Sequence, residues 1–183
     1  VSGLLVLDGN ITANGSGVSS NGGGGGAGGT VALTLNRFAG SGLISADGGG
    51  GHLPLGGGGG GGRIAVTWLS NAFTGKYSAK GGNGFQAGGA GTVYLKPNSG
   101  QFQTPSLVVD NGGLLGTNTT FDLSTLSNLT VGGGAVVRPT YSGMLNLSSL
   151  NIASNGSLLA PQLNLTGPTH IAAGGSISAD GLG

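Results

Sequence analysis

The side chains that could carry chemistry are few and widely spaced. Among 183 residues there are five carboxylates, all of them aspartate, together with two histidines, six lysines or arginines and no cysteine. Polysaccharide-cleaving enzymes need clustered acids beside a base or a cation, and thiolate metal sites need cysteine. We therefore predict no catalytic, cofactor-binding or metal-binding residue, and no enzymatic activity.

The aspartates and histidines have the sequence context of turns and loops. Four aspartates stand before glycine or Asn-Gly, or close a turn of small residues, where an Asp side chain caps nearby backbone N–H groups. These four are Asp8, Asp47, Asp110 and Asp180. Asp122 lies in a Phe-Asp-Leu strand edge with no second acid nearby in sequence. His52 and His170 lack metal-ligand spacing and are expected in loops.

The motif Asn-x-Ser/Thr is more frequent than the composition explains. It could mark N-glycosylation of exposed loops in a secreted protein, or it could arise structurally where Asn-rich turns precede strand threonines. The sequence leaves both interpretations open. The motif begins at Asn10, Asn14, Asn118, Asn128, Asn146, Asn155 and Asn164.

Charge and hydropathy exclude two classes of partner. Charged residues are 6% of the chain and the net charge is +1, so the chain lacks the basic surface that neutralises phosphates. No apolar stretch approaches the roughly 18 residues of a membrane-spanning helix. We expect no nucleic-acid partner and no membrane span in this segment.

A motif of a β-type residue, Ser or Thr, Ala, a polar residue and Gly recurs every 33 residues, at 11–15, 44–48 and 77–81. Self-similarity of this length is typical of stacked, elongated architectures. The motif returns at 177–181. This return suggests one module of a tandem array within a longer chain.

Each 33-residue repeat contains a strand with period-two alternation, at 30–35, 63–68 and 92–96. Phe38 and Phe73 follow the first two strands at similar offsets and are predicted to stack in the core. The alternation predicts that one set of side chains points inward, one above another. This set is Val31, Leu33, Leu35, Ile64, Val66, Trp68, Val93 and Leu95.

Glycine runs at 14–29, 47–62 and 80–91 fall at the same place in successive repeats. Ordering such a run is costly in backbone entropy, so side-by-side hydrogen bonding must compensate. We predict polyglycine-II-like segments stacked on one flank of the β-structure. A flexible glycine fringe is the alternative.

The chain divides into residues 1–100, with the 33-residue repeats, and residues 101–183, where glycines close shorter repeats of about 20 residues. A repeat of this length suits one turn of a parallel β-solenoid. We expect the second part to continue the first, with one continuous aliphatic interior.

These segments resemble known families. GGGGGGGRIAV at 56–66, FTGKYSAKGGNG at 73–84 and GGAGTVYL at 88–95 look like the glycine-rich repeats of very large secreted bacterial surface proteins. The later part resembles the β-solenoid rungs of filamentous-haemagglutinin-type adhesins and autotransporter passengers. The glycine runs also resemble the polyglycine sandwich of some phage receptor-binding tips. The resemblance implies a long extracellular fibre or adhesin stalk.

The predicted fold is all-β, a parallel β-solenoid with polyglycine-II-like segments on one flank. The expected function is structural, in an extracellular filament, sheath or cell-surface stalk that is secreted and contacts copies of itself or adjoining repeats. The alternative is an adhesin or receptor-binding module for glycans or another surface, using aromatics such as Trp68, Tyr94 and Tyr141. An ice-binding face built from Thr30, Thr34, Thr67 and Thr92 is a further form of that alternative.

Overall fold

A computed structural model of the chain describes residues 3–20, 22–98, 104–122, 125–140 and 143–180, without the side chain of residue 125. The described residues form sixteen β-strands and no helix, so the predicted all-β class is confirmed. Tyr141, one of the aromatics considered for glycan contact, lies outside these residues.

The strands form three sheets. The nine-stranded sheet contains β1 (Leu4–Val6), β3 (Thr30–Gly40), β5 (Arg63–Phe73), β7 (Thr92–Pro97), β8 (Ser106–Asp110), β10 (Thr125–Gly132), β12 (Leu145–Ile152), β14 (Leu163–Leu165) and β15 (Thr169–Ile171). The three-stranded sheet contains β2 (Asn10–Thr12), β4 (Leu43–Ser45) and β6 (Lys76–Ser78). The four-stranded sheet contains β9 (Asn118–Phe121), β11 (Val136–Pro139), β13 (Ser157–Leu159) and β16 (Ser176–Ser178).

Each strand of one repeat pairs in parallel with the same strand of the next. Val31 pairs with Ile64, and Ile64 pairs with Val93. In the second part Leu107 pairs with Leu129, and Leu129 pairs with Leu150. The exception among the strand pairings is β7 with β8, which is antiparallel. The chain direction therefore reverses at this pair while the sheet continues.

The reversal divides the interior into two cores. Val93 of β7 and its partner Val108 of β8 both belong to the first core. Tyr94 and its partner Leu107 both belong to the second core. Because adjacent residues of a strand point to opposite faces, the two cores lie on opposite faces of the nine-stranded sheet. The expectation of one continuous interior is therefore wrong.

The inward set predicted for the first three repeats is buried, except that Leu33 and Leu95 are half-buried. Trp68 is a core residue, 8% exposed. Phe38 and Phe73 stack as predicted, with ring centroids 4.2 Å apart and planes at 14°. Tyr77 meets Phe73 edge-on at 5.5 Å, which extends the aromatic column.

The glycine segments form hydrogen-bonded layers beside the first core. Gly25 and Gly28 donate to the carbonyls of Gly57 and Gly60 in the next repeat, and Gly58 and Gly61 donate onward to Gln86 and Gly89. The N–H groups that donate to the glycine segment of the next repeat thus recur at every third residue. The central segment, 56–62, is bonded in addition to segments 46–52 and 79–85. These contacts pair most of its N–H and carbonyl groups, as burial of peptide groups requires.

Candidate functional site

The two repeat types meet at a junction formed by β7, β8 and β9. On one side of it the last glycine segment ends, and on the other side the four-stranded sheet begins with β9. An isolated parallel bridge joins Ala87 to Gly116 across this boundary. Because the two cores lie on opposite faces of the nine-stranded sheet, each core ends at this junction. The open end of each core therefore lies beside residues of the other repeat type.

Two buried polar side chains fasten the junction. Asn111 is fully buried, and its Oδ1 accepts the Gly81 N–H at 2.7 Å. Its amide nitrogen donates to the carbonyls of Gly88 and Leu114 at 3.0 and 2.7 Å. The hydroxyl of Thr119 donates to the Ala90 carbonyl at 2.6 Å. These bonds tie the second repeat type to the last glycine layer.

The open end of the second core forms a groove of about 440 Å³. Arg63 begins β5, Thr92 and Tyr94 lie on β7, and Phe121 ends β9. Arg63, Thr120 and Asp122 are exposed, Tyr94 is half-buried and Phe121 is buried in the core. An aromatic face beside a guanidinium, a carboxylate and hydroxyls can contact both the C–H faces and the hydroxyl groups of a small polar ligand. The lining includes Arg63, Thr92, Tyr94, Thr120, Phe121 and Asp122.

A second groove, of about 220 Å³, shares Arg63, Thr92 and Thr120 with the first. It follows the boundary between the glycine segments and β9. The shared residues make the two grooves neighbours along one surface. We call the two together the junction groove.

The open end of the first core forms a separate cavity of about 240 Å³. Val93, Leu95 and Val108 supply apolar walls, and Lys80 and Asp110 add charged groups to its lining. Burial raises the pKa of the Tyr77 hydroxyl, which also lines the cavity, to about 12. A phenol with this pKa is protonated at neutral pH, as tyrosine ordinarily is, and can donate a hydrogen bond.

Two aspartates act between repeats, where local turn caps were expected. Asp8 Oδ1 accepts the Ser41 N–H at 3.0 Å, and Asp47 Oδ1 accepts the Lys80 N–H at 3.0 Å. Each donor belongs to the following repeat, 33 residues on. Asp110 behaves as predicted, since its Oδ1 accepts the Gly112 N–H at 2.6 Å.

The histidines also differ in placement. His52 lies outside the strands, as expected, and its Nδ1 accepts the Gly22 N–H at 3.3 Å. The expectation of a loop is wrong for His170, which lies in β15 with Nδ1 3.2 Å from Asn151 Oδ1. Among the residues that the structure describes, no group of three His, Cys, Asp or Glu side chains is placed to hold a metal ion.

Most Asn-x-Ser/Thr motifs begin on strands. Only Asn14 and Asn155 lie outside a strand, and Asn155 has a φ of 59°. In four of the other five, the Ser or Thr two residues later lies in the same strand and points to the same face as the Asn, whereas Thr166 follows the end of β14. The motif thus follows from outward-facing polar alternation. The five are Asn10, Asn118, Asn128, Asn146 and Asn164.

Several of these asparagines bond across strands. Asn128 Nδ2 donates to Thr104 Oγ1 at 2.8 Å, and Asn128 Oδ1 accepts from Ser149 Oγ at 2.7 Å. Asn164 Nδ2 donates to Asn146 Oδ1 at 3.0 Å. Polar ladders of this kind stabilise neighbouring strands. Glycosylation of these positions stays a prediction.

The threonines proposed for an ice-binding face do not form continuous rows. Thr30 and Thr92 are separated by Arg63 in the strand register, and Thr34 and Thr67 are followed by Lys96. A flat, uncharged threonine surface is therefore interrupted in both rows. This arrangement removes the basis of the ice-binding alternative.

The described residues contain no helix long and apolar enough to cross a membrane. Comparison of the chain with protein-family models, curated proteins and solved structures finds no match.

Proposed function

We propose that this chain is a structural segment of a secreted filament, sheath or cell-surface stalk. In this proposal the strands wind as a parallel β-solenoid, and the glycine layers form a polyglycine-II-type flank. The observation that carries the proposal is the pairing of each repeated strand with its counterpart in the next repeat. Such a stack extends in one direction, because each added repeat contacts mainly its neighbours.

The energetic character of the chain supports the same role. Stability is distributed along the stack, in backbone bonds between repeats and in two aliphatic cores. With 6% charged residues there is little repulsion between neighbouring repeats or copies. A fibre is stabilised by contacts that recur along its length, and it does not require one localised binding or catalytic site.

Sedimentation and negative-stain electron microscopy of the 183-residue protein test this role. We expect elongated assemblies whose length rises with protein concentration. Val66→Asp places a charge in the fully buried first core and should abolish them by unfolding the repeat. Thr67→Asp is the matched control, since Thr67 is only half-buried. Monomers at every concentration, or assemblies unchanged by Val66→Asp, would contradict the proposal.

A second candidate function is recognition of a glycan, and the junction groove favours it. Tyr94 lines this groove, where it combines partial exposure with nearby hydroxyl and charged groups, whereas Trp68 is buried in the first core. A sugar would place a C–H face on the Tyr94 ring and hydroxyls near Arg63 and Asp122. These are the contacts of an aromatic groove with a few placed polar groups.

Glycan-array binding by wild type and by Arg63→Gln tests the second candidate. Arg63 is exposed at the start of β5, so its replacement should leave the fold intact and weaken binding about tenfold or more. Lys76→Gln removes an exposed cation away from the groove and serves as the control. Absence of any bound glycan, or equal binding by both variants, counts against this function.

A further inference from the structure

The last two strands repeat the geometry of the first two. Ile171 of β15 precedes Ile177 of β16 by six residues, and Leu5 of β1 precedes Ile11 of β2 by six. The same interval separates Phe38 from Ile44 in the second repeat. Residues 177–180 read Ile-Ser-Ala-Asp, identical to residues 44–47. The chain thus carries one corner motif at both ends of the stack.

Among the described residues, the aliphatic side chains at these two ends have a paired strand on one side only. Ile171 is 47% exposed although its register partner Ile152 is fully buried. Ile11 is half-buried although its partner Ile44 is fully buried. Paired residues of parallel strands point to the same face, so Ile171 and Ile11 point to the same side of the sheet as their buried partners, and no strand of the described residues covers them on the other side.

We propose that β15 and β16 of one copy pair in parallel with β1 and β2 of a second copy of this chain. The inference rests on the proposed filament function and names the surfaces that would join. Ser176, Ile177 and Ser178 would take the register of Leu43, Ile44 and Ser45 against Asn10, Ile11 and Thr12. Ile171 would meet Leu5 of the second copy, and both cores would be continued.

Hydrogen bonds between the internal repeats indicate which polar contacts this joint would make. Asn14 Oδ1 accepts the Asp47 N–H at 2.8 Å, and Asp47 Oδ1 accepts the Lys80 N–H at 3.0 Å. Asp180 occupies the same position of the motif and is exposed. In the joint, its carboxylate would accept the Asn14 N–H of the second copy. The Thr12 hydroxyl would donate to it as Ser78 Oγ donates to Asp47 Oδ1.

The joint also fixes the relative orientation of the copies. β15 runs antiparallel to β1 within the nine-stranded sheet, because the direction reverses between β7 and β8. Parallel pairing of β15 with β1 of the next copy therefore rotates that copy by about half a turn around the stacking axis. The two cores lie on opposite faces of the sheet, so this rotation brings the first core of the new copy onto the second core of the old one.

The joint can be tested by disulfide trapping, because the natural chain has no cysteine. Asn10→Cys and Ser176→Cys change exposed residues that would face each other, and Cα atoms of paired strands lie about 4.8 Å apart, within disulfide range. A mixture of the two variants should form the heterodimeric disulfide under mild oxidation. Each variant alone should form at least tenfold less dimer.

A second measurement separates the joint from the filament role. Asp180→Ala should weaken concentration-dependent association in sedimentation by about tenfold to a hundredfold, because a side-chain hydrogen-bond acceptor at the joint is lost. Asp180→Asn should retain it, since Asn14 fills this position within the chain. Asp122→Ala, which also removes one exposed carboxylate, should leave association unchanged.

The outcomes distinguish the two claims. Filaments that form without the heterodimeric disulfide would overturn this joint and leave the structural function standing. Equal yields of homodimer and heterodimer would also overturn it, because they indicate random collision. Absence of both filaments and heterodimer would count against the joint and against assembly from copies.

Discussion

The packing of the glycine layers predicts different effects of alanine substitution at two adjacent residues, Gly59 and Gly60. A Cβ on Gly59 would overlap the carbonyl oxygen of Gly26 in the preceding repeat, whereas the nearest atom to a Cβ on Gly60 is the Gly89 oxygen at 3.9 Å. Gly59→Ala should therefore destabilise the protein, and Gly60→Ala should be tolerated. The two variants add the same methyl group to the same glycine run.

The magnitude follows from the bonds that Gly59 makes. Its N–H donates to the Gly49 carbonyl at 2.9 Å, and its carbonyl accepts from Gly82 at 2.7 Å. Displacing this segment strains both bonds, and a buried peptide group left without a partner costs about 1–3 kcal/mol. We expect Gly59→Ala to lower the free energy of unfolding by about 2–5 kcal/mol. Gly60→Ala should leave it unchanged or raise it by up to about 1 kcal/mol, because alanine restricts the unfolded chain.

Thermal and urea unfolding, followed by far-ultraviolet circular dichroism, measure this difference. A loss of this size lowers Tm by roughly 5–20 °C in a chain of this length. Equal Tm values for the two variants would refute the close approach of the layers. Such a result would favour glycine runs that make no specific contacts.

Three further predictions concern single side chains. Asn111→Ala should destabilise the protein by about 2–5 kcal/mol in urea unfolding, because one backbone N–H and two carbonyls lose a buried partner. Ser45→Ala should be neutral or stabilising in the same assay, since the Ser45 hydroxyl is buried without a hydrogen-bond partner, whereas Ser78→Ala should cost stability by removing a bond to Asp47. Stability should fall as the pH rises from about 10 to about 12, because burial raises the pKa of Tyr77 to about 12 and unfolded tyrosine ionises first. Tyrosinate absorbance should show a group that titrates near pH 12 and that Tyr77→Phe removes, and the absence of such a group would contradict the burial of Tyr77.

The register of the first three repeats could be predicted from the sequence because two periods coincide there. Alternation at every second residue selects a face, and the 33-residue interval places Val31 beside Ile64. The stack of Phe38 on Phe73 was predicted from the same offsets, although in the strand register Phe38 faces Asn71 and Gly40 faces Phe73. A bulky ring reaches past its own register position, so offsets that differ by two residues still allow contact.

The switch of faces at β7 and β8 could not be predicted from the alternation. Leu107, Val108 and Val109 are consecutive aliphatic residues, so period-two analysis assigns no outward face to β8. Such a run does indicate burial on both sides of the sheet. In this structure Leu107 and Val109 pack into the second core and Val108 packs against the first. The three consecutive aliphatic residues of β8 thus indicate a core on each face of the sheet, but they give no information on strand direction.

The aspartates show why local sequence context misleads in a stacked chain. Asp47 precedes Gly48, which suits a turn cap, yet its Oδ1 accepts the N–H of Lys80. Neighbouring strands lie about 4.8 Å apart, so the same position in the next repeat is as near to a short side chain as its own turn. Asn111 was missed for a related reason, since two of its three partners, Gly81 and Gly88, lie 30 and 23 residues away and only the fold brings them to it.

The distribution of side chains among the glycine runs follows from the stacking order. In the register of the layers Gly58 and Gly61 of the central repeat correspond to Ala87 and Ala90 of the third. A Cβ on Gly58 or Gly61 would overlap backbone of the third repeat, whereas Ala90 packs into the second core. Glycine is therefore required at five of the seven positions of the central run 56–62, whereas Gly57 and Gly60 have room for a methyl group. The outer repeats tolerate side chains wherever a Cβ points away from the glycine layers, so a fourth glycine repeat inserted between the second and third should need glycine at the same five positions as the second.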